Sequence, residues 1–118
     1  RCASGKCILA TLDDKTIKQI FDSSEIIKAT EHTITQFDDL MKNIYEIRKR
    51  GYAIDDEESE IGVKCIALYL GNGPSEQAPQ YAFSISSLSS RMTPERLDDL
   101  YNKMIETKQN ILKELFIA

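Results

Sequence analysis

The chain has 118 residues, of which 42% are hydrophobic and 29% are charged, and its formal net charge is -4 at pH 7. This length suits one domain with a hydrophobic core, and the acidic balance argues against nucleic-acid binding by this chain alone, because such binding depends mainly on Lys and Arg neutralising phosphates. No apolar run approaches the roughly 20 residues that span a bilayer, so we expect a cytoplasmic protein without membrane contact.

The chain contains three cysteines, Cys2, Cys7 and Cys65. An odd number in a chain of ordinary composition favours free thiols in a reducing compartment over a disulfide framework. Cys2, Cys7 and His32 could be combined into a transition-metal site, but their spacing fits no ordinary zinc pattern and a fourth ligand is not evident. We therefore expect neither a metal nor a cofactor.

Helical periodicity dominates the first half of the chain. It predicts short helices over residues 4–11 and 14–21, and a longer helix with Thr35 as its N-cap and Gly51 as its stop. We expect the longer helix to cover a sheet with its apolar stripe. The apolar positions that carry these predictions are Ile17, Ile20 and Phe21 in the second helix and Phe37, Leu40, Met41, Ile44 and Ile47 in the third.

Strand candidates occupy the middle of the chain. Residues 63–70 and 80–86 have the composition of strands, and the stretch 71–79 between them is rich in Gly and Pro. A third, short strand is expected around residues 52–54. Together with the helices, these strands predict an α+β fold in which an antiparallel sheet is flanked by helices.

The last segment predicts a long helix. Thr93 is the expected cap and Pro94 the first helical residue. Its apolar stripe is typical of a helix that faces its own core, although a stripe of this kind can also pack across a subunit interface. The stripe consists of Leu97, Leu100, Tyr101, Met104, Ile105, Ile111, Leu112 and Leu115.

Five carboxylates stand close together before the strand at 63–70: Asp55, Asp56, Glu57, Glu58 and Glu60. We interpret them as a solvated charged turn rather than a metal site, because loops that bind hard metals need Gly and alternating oxygen ligands at set spacing. Glu57 and Glu58 are expected to cap or brace the turn into the next strand.

One face of the predicted sheet is lined by small and weakly polar residues. With the strand period of 2, Val63, Cys65, Ala67 and Tyr69 share one face of their strand, and Ala82, Ser84 and Ser86 share one face of theirs. Such a face leaves room beside the sheet and offers two hydroxyls and a thiol to a small polar metabolite. From the residues alone, however, a solvated edge strand is the favoured interpretation of the two serines.

Four motifs occur in order along the chain: A-S-G-K-C-I-L-A from Ala3, T-I-T-Q-F-D-D-L from Thr33, G-Y-A-I-D-D-E-E-S-E-I-G-V-K-C-I-A from Gly51 and S-I-S from Ser84. This ordered set resembles the effector-binding domain of IclR-type transcriptional regulators. The resemblance implies a GAF-like or profilin-like sheet. It also implies a winged helix-turn-helix and further strands upstream, so we expect residues 1–118 to be part of an effector-binding domain without its DNA-binding domain.

The resemblance further implies an effector site. In IclR-type domains the matching strand positions and the start of the first helix hold the effector, where backbone N–H groups and the helix dipole attract a carboxylate. On local grounds, an ordinary N-cap without a ligand explains that helix start equally well. Val63 and Tyr69 are candidates for setting the depth of the pocket. The implied effector-binding residues are Ala3, Ser4, Asp55, Cys65, Ser84 and Ser86.

We therefore expect a sensor and not an enzyme. The expected partners are a small carboxylate or sugar-acid effector and further copies of the chain, as a homodimer or homotetramer, with DNA reached only through a domain outside this chain. Two alternatives stay open, a thiol sensor that uses Cys65 or Cys7 and a domain that serves only oligomerisation. Catalysis is least favoured, since His32 is the only histidine and no nucleophile elbow, phosphate loop or pair of catalytic acids occurs.

Overall fold

Four α-helices and three strands make up the part of the chain that this computed structural model describes, residues 2–72 and 80–115. Most of the predicted turn-rich stretch 71–79 lies outside these residues. None of the described helices is both long and apolar enough to cross a membrane. In chain order the elements are α1 (Ala3–Leu9), α2 (Asp14–Ser23), α3 (Phe37–Arg50), β1 (Ala53–Asp56), β2 (Val63–Asn72), β3 (Gln80–Leu88), a 3-10 turn (Ser89–Arg91) and α4 (Pro94–Leu115).

The third helix begins one residue later than predicted. Gln36 and not Thr35 is its N-cap, with an extended backbone (φ -110°, ψ 139°) and no side-chain hydrogen bond to the helix. The prediction of Thr35 as the N-cap was wrong. The start of this helix is held by packing and not by a side-chain hydroxyl, because the ring of Phe37 packs edge-on against that of Phe21, with ring centroids 5.5 Å apart. Gly51 ends the helix as predicted, since its φ of +93° is a left-handed conformation that favours glycine.

The strands form one antiparallel sheet in the order β1-β2-β3. The strand predicted at 52–54 lies at 53–56, and the other two begin where predicted and run two residues further. A register shift between Tyr69 and Gly71 interrupts the pairing of β2 with β3. The predicted α+β architecture is confirmed.

The sheet separates two hydrophobic clusters, because alternate residues of β2 point to opposite faces. Ala67 packs with α1 and α3 on one face, whereas Ile66 and Leu68 pack with α4 on the other. The buried members are Ala3, Cys7, Ile17, Leu40, Met41, Ile44, Ile47, Ala53 and Ala67 on the first side and Ile66, Leu68, Met92 and Met104 on the second.

Helix α4 covers the second face. It begins at Pro94, and the Thr93 hydroxyl accepts a hydrogen bond from the N–H of Arg96 at 3.3 Å, which confirms the predicted cap. Met104 is 1% exposed at the centre of the contact. The core-facing interpretation of the apolar stripe is confirmed for the residues that pack against the second cluster, Leu97, Leu100, Tyr101 and Ile105.

Arg48 of α3 fixes the connection between α1 and α2. Its guanidinium donates to the carbonyl oxygens of Ala10 at 3.0 Å and Leu12 at 2.7 Å, and to the Asp14 carboxylate at 2.8 Å. The Tyr45 hydroxyl donates to the other oxygen of the same carboxylate at 3.0 Å. The hydrogen bond from Arg48 is the main cause that lowers the pKa of Asp14, followed by the bond from Tyr45.

A buried ion pair joins α1 to the turn between β1 and β2. Lys6 is 1% exposed, and its Nζ lies 3.0 Å from Oε1 and 2.9 Å from Oε2 of Glu58. The same ammonium group donates to the Asn43 amide oxygen in α3 at 3.0 Å and to the carbonyl oxygen of Ile54 in β1. The Glu58 carboxylate also accepts the backbone N–H of Asp56 at 3.0 Å. Both charges are thus paired and hydrogen-bonded, which is the condition under which a protein interior accepts them.

Replacing Lys6 by Met would leave the Glu58 carboxylate buried without its counter-ion. We expect this variant to lose about 3–5 kcal/mol of unfolding free energy, measured by urea titration with circular dichroism. A double variant, Lys6→Met with Glu58→Gln, has no uncompensated charge and should recover part of the loss. Equal losses in the single and double variants would show that the unpaired charge is not the cause.

The contribution of Asp14 to stability should depend on pH. Its folded-state pKa is lowered, so the stabilisation is present above the unfolded-state pKa and is lost as the pH falls through the folded-state pKa. Asp14→Asn should therefore melt below the parent at neutral pH, with the gap closing in acid. Asp22→Asn, which removes an exposed partner of Lys18 within α2, is the control. A gap of constant size across the titration would contradict the linkage.

Candidate effector site

Three of the candidate residues form a row across the sheet. Asp55 of β1 is the register partner of Cys65 in β2, and Cys65 is in turn the partner of Ser86 in β3. The Cys65 sulfur and the Ser86 hydroxyl oxygen are 3.0 Å apart. Ser84 lies two residues along β3 on the same face, opposite Ala67. The sheet therefore brings four of the six candidates together.

Asp55 anchors the buried end of this row. Asp55 is buried, with only 3% of its surface exposed. One carboxylate oxygen accepts the backbone N–H of Glu58 at 2.9 Å, and the other accepts the Ser59 hydroxyl at 2.7 Å. Each oxygen has a second lone pair, so Asp55 is oriented as a hydrogen-bond acceptor by its own turn and can accept further donors.

The carboxylate turn is less solvated than predicted. Asp55 and Glu58 are buried, which corrects the solvated interpretation for these two, whereas Asp56 and Glu60 are exposed. Lys6 explains the burial of Glu58, because it neutralises this carboxylate inside the protein. The Asp55 carboxylate is satisfied instead by donors from its own turn. Glu57 and Glu58 do brace the turn as predicted: Glu57 accepts the N–H of Gly62 at 2.7 Å, and the Glu58 carboxylate accepts that of Asp56.

The start of α1 lies against the same face of the sheet. Ala3 is 2% exposed and belongs to the cluster that contains Ala53 and Ala67, against which Cys65 also packs. Ser4 follows it and is half-buried. Fully buried alanines on β1 and β2 leave room for a helix to approach the strands closely. The structure thus places Ala3 beside the row, and Ser4 is the next residue of the same helix.

The two serines lie at the open end of the row. Ser84 and Ser86 are both exposed, and β3 is an outer strand of the sheet within the residues described here. This exposure agrees with the edge-strand interpretation, while the contact of Ser86 with Cys65 and the shared row with Asp55 agree with a ligand site. The face therefore runs from exposed hydroxyls to a buried carboxylate.

The two other cysteines have structural contacts. Cys7 is 2% exposed and its thiol donates to the carbonyl oxygen of Ala67 at 3.0 Å. Burial raises the pKa of the Cys7 thiol, and this disfavours the thiolate that reactive cysteines need. The exposed Cys2 sulfur accepts the N–H of Gly5 at 3.3 Å and caps α1. Among residues 2–72 and 80–115, no three His, Cys, Asp or Glu side chains are grouped as a metal site would require.

The Lys6 network was missed by the sequence analysis. Besides Lys6, it includes Thr33, whose hydroxyl donates to the Glu58 carbonyl oxygen at 2.6 Å and accepts the N–H groups of Ala29 and Thr30 at 3.1 and 2.9 Å. One signal was available, since Lys6 is a single cation on a helix whose neighbouring positions are small and apolar. The carboxylate run supplied the opposite charge.

Two cavities lie near this site without including it. One of about 500 Å³ lies between α1, α2 and residues 24–34, and one of about 320 Å³ lies between the end of α3, β1 and the start of α4. None of the six candidate residues lines either cavity. Val63 and Tyr69 are half-buried at the two ends of the β2 face, and their influence on pocket depth stays a prediction.

Comparison with known proteins assigns a family. The family model described as "Bacterial transcriptional regulator IclR C-terminal" matches residues 1–113. The HTH-type transcriptional regulator KdgR of Escherichia coli (strain K12) is 41% identical over 66 residues, which are 56% of this chain and 25% of that protein. The chain spans less than half the length of the curated relatives it matches.

Solved structures agree with this assignment. The IclR structure of Thermotoga maritima superposes with a TM-score of 0.83 and 34% identity, over 96% of this chain and 45% of that one. The inducer-binding domain of PobR from Acinetobacter, solved with 3-hydroxybenzoic acid, shares the fold at a TM-score of 0.77 and 23% identity, over 95% of this chain and 63% of that one. The relatives named here are transcriptional regulators, and this chain belongs to the IclR C-terminal family of bacterial transcriptional regulators.

Proposed function

We propose that this chain senses a small organic acid for a transcriptional regulator and that the acid binds along the row Asp55, Cys65 and Ser86. The observation that carries the proposal is the row itself, in which an oriented carboxylate, a thiol and a hydroxyl lie side by side on one face. Ser84 extends the row, and the start of α1 at Ala3 and Ser4 lies beside it.

The charge of Asp55 restricts how an acid can lie in this site. A buried carboxylate repels a second one, so the acid group of the effector belongs at the opposite end of the row. The hydroxyls of Ser84 and Ser86 are donors there, and the backbone N–H groups at Ala3 and Ser4 are further donors beside the row. Asp55 then accepts a hydroxyl from the effector. This arrangement favours hydroxy acids and sugar acids over simple carboxylic acids.

Transmission of the signal requires groups outside this chain. We propose that DNA is contacted through a separate DNA-binding domain, and that the acid biases the arrangement of subunits in a homodimer or homotetramer. The acidic balance of the chain supports this division, because a net charge of -4 does not favour phosphate contacts. The fold shared with an inducer-binding domain that holds a hydroxylated acid is compatible with the proposed ligand class.

A panel of acids with and without a hydroxyl tests the proposal. A ligand that binds only the folded state stabilises it, by about 2.7 kcal/mol when the ligand concentration is 100 times its Kd. The melting temperature rises as a result. We expect lactate or gluconate to raise it by several degrees and propanoate to raise it much less. The Ser84→Ala, Ser86→Ala double variant should lose the shift, and Ser90→Ala, an exposed serine beyond β3, should keep it.

The same panel can overturn the proposal. If no hydroxy acid shifts the melting temperature of the parent, the domain would be reassigned to oligomerisation alone. If the double variant keeps the full shift, the acid binds elsewhere. If propanoate raises the melting temperature as much as lactate does, Asp55 does not contact the ligand.

Protection of Cys65 offers a second test. The three cysteines differ in exposure: Cys2 is exposed, Cys65 half-buried and Cys7 buried. An acid bound on the row should slow iodoacetamide modification of Cys65 in the parent but not in the Ser84→Ala, Ser86→Ala variant, while Cys7 reacts slowly throughout because burial raises its pKa. Peptide mass spectrometry over a time course measures the three rates. Equal slowing of Cys65 in the parent and in the double variant would indicate a general stabilisation and not contact with the row.

A further inference from the structure

The cavity of about 500 Å³ lies on the side of α1 that faces away from the sheet. Gly5 and Leu9 line this cavity, whereas Ala3 and Cys7 of the same helix pack against the strands. Its volume falls within the roughly 300–1,000 Å³ typical of small-molecule sites. We propose that it binds an uncharged aromatic or branched aliphatic molecule, at a site separate from the acid site.

The inner wall of the cavity is apolar and recessed. It is formed by the half-buried side chains of Phe21 and Ile34 and by Leu40, which is 9% exposed. These residues also contact the hydrophobic cluster beneath them, so the wall is fixed by the core. A ligand in the cavity would meet a preformed apolar surface, which is the usual character of such sites.

The mouth of the cavity concentrates exposed apolar residues. Ile20, Ile26 and Ile27 are 39%, 40% and 63% exposed, and all three line it. Scattered exposed hydrophobic residues are normal on protein surfaces, but a group of them around the opening of one cavity marks a binding surface. Because the apolar wall lies behind this rim, a small molecule can contact more of the wall than a flat protein surface could.

The polar groups of the cavity select against an acid. Lys6 and Thr33 line it, but both are already bonded to Glu58. The Lys6 charge is therefore neutralised inside the protein. Glu25 at the exposed rim adds a negative charge, which disfavours an anion at the mouth. This preference is opposite to that of the proposed acid site.

Indole is a suitable probe, because the chain contains no tryptophan and indole fluorescence can be read without background from that residue. We expect indole to bind saturably in a fluorescence titration, and indole-3-carboxylate, which has the same ring and a negative charge, to bind at least about tenfold more weakly. Ile26→Ser should weaken indole binding by about threefold to tenfold through lost apolar contact.

Ile61→Ser is the matched control, since Ile61 is 57% exposed in the turn between β1 and β2 and does not line the cavity. It should leave indole binding unchanged. The Ser84→Ala, Ser86→Ala variant should also bind indole normally, so a failure of the acid site and a failure of the cavity give different results. Circular dichroism melting of each variant confirms folding.

Several outcomes would overturn the proposal. These are the absence of saturable indole binding, equal binding of indole and its carboxylate, and equal losses in the two isoleucine variants. Sedimentation velocity adds another: if the parent is a dimer that Ile26→Ser dissociates, the exposed isoleucines are covered by a second copy and not by a small molecule. Loss of indole binding in the serine variant would place the probe on the sheet face.

Discussion

The ion pair between Lys6 and Glu58 is the interaction on which the other features of this domain depend. Bringing two charges into a protein interior costs several kcal/mol per ion, and the attraction between them offsets this only when the remaining donors and acceptors are also satisfied. Here the ammonium group has Asn43 and the Ile54 carbonyl as further acceptors, and the carboxylate has the Asp56 N–H as a further donor. The pair therefore holds α1, α3, β1 and the following turn in one arrangement.

The geometry of the candidate site follows from this arrangement. Lys6 pairs with the carboxylate of Glu58, and the Thr33 hydroxyl donates to the Glu58 carbonyl oxygen. Held in this way, Glu58 donates its N–H to the Asp55 carboxylate. The orientation of Asp55 is thus set by residues that need not touch a ligand. A polar network whose members are all bonded specifies one geometry, which a site that distinguishes similar acids requires.

Local patterns predicted most of the elements but not the contact that unites them. Periods of 3.6 and 2 located the helices, the strands and the face shared by Cys65 and Ser86, because these depend on neighbouring residues. The start of α3 was misplaced by one residue, since Phe37 packs against another helix. Lys6 and Glu58 are 52 residues apart, and a pattern that assigns charged residues to the surface cannot find a pair that the fold buries.

Helix α1 is a shared wall between the proposed acid site and the cavity. It has seven residues and is about 10 Å long, so both surfaces belong to one rigid unit in a densely packed interior. A ligand on one side can influence the other only if it binds two positions of this helix with different affinity. The Cys7 bond to the Ala67 carbonyl oxygen and the Lys6 bonds to three segments all oppose a second position. Occupancy of the cavity should therefore leave the affinity of the acid site unchanged.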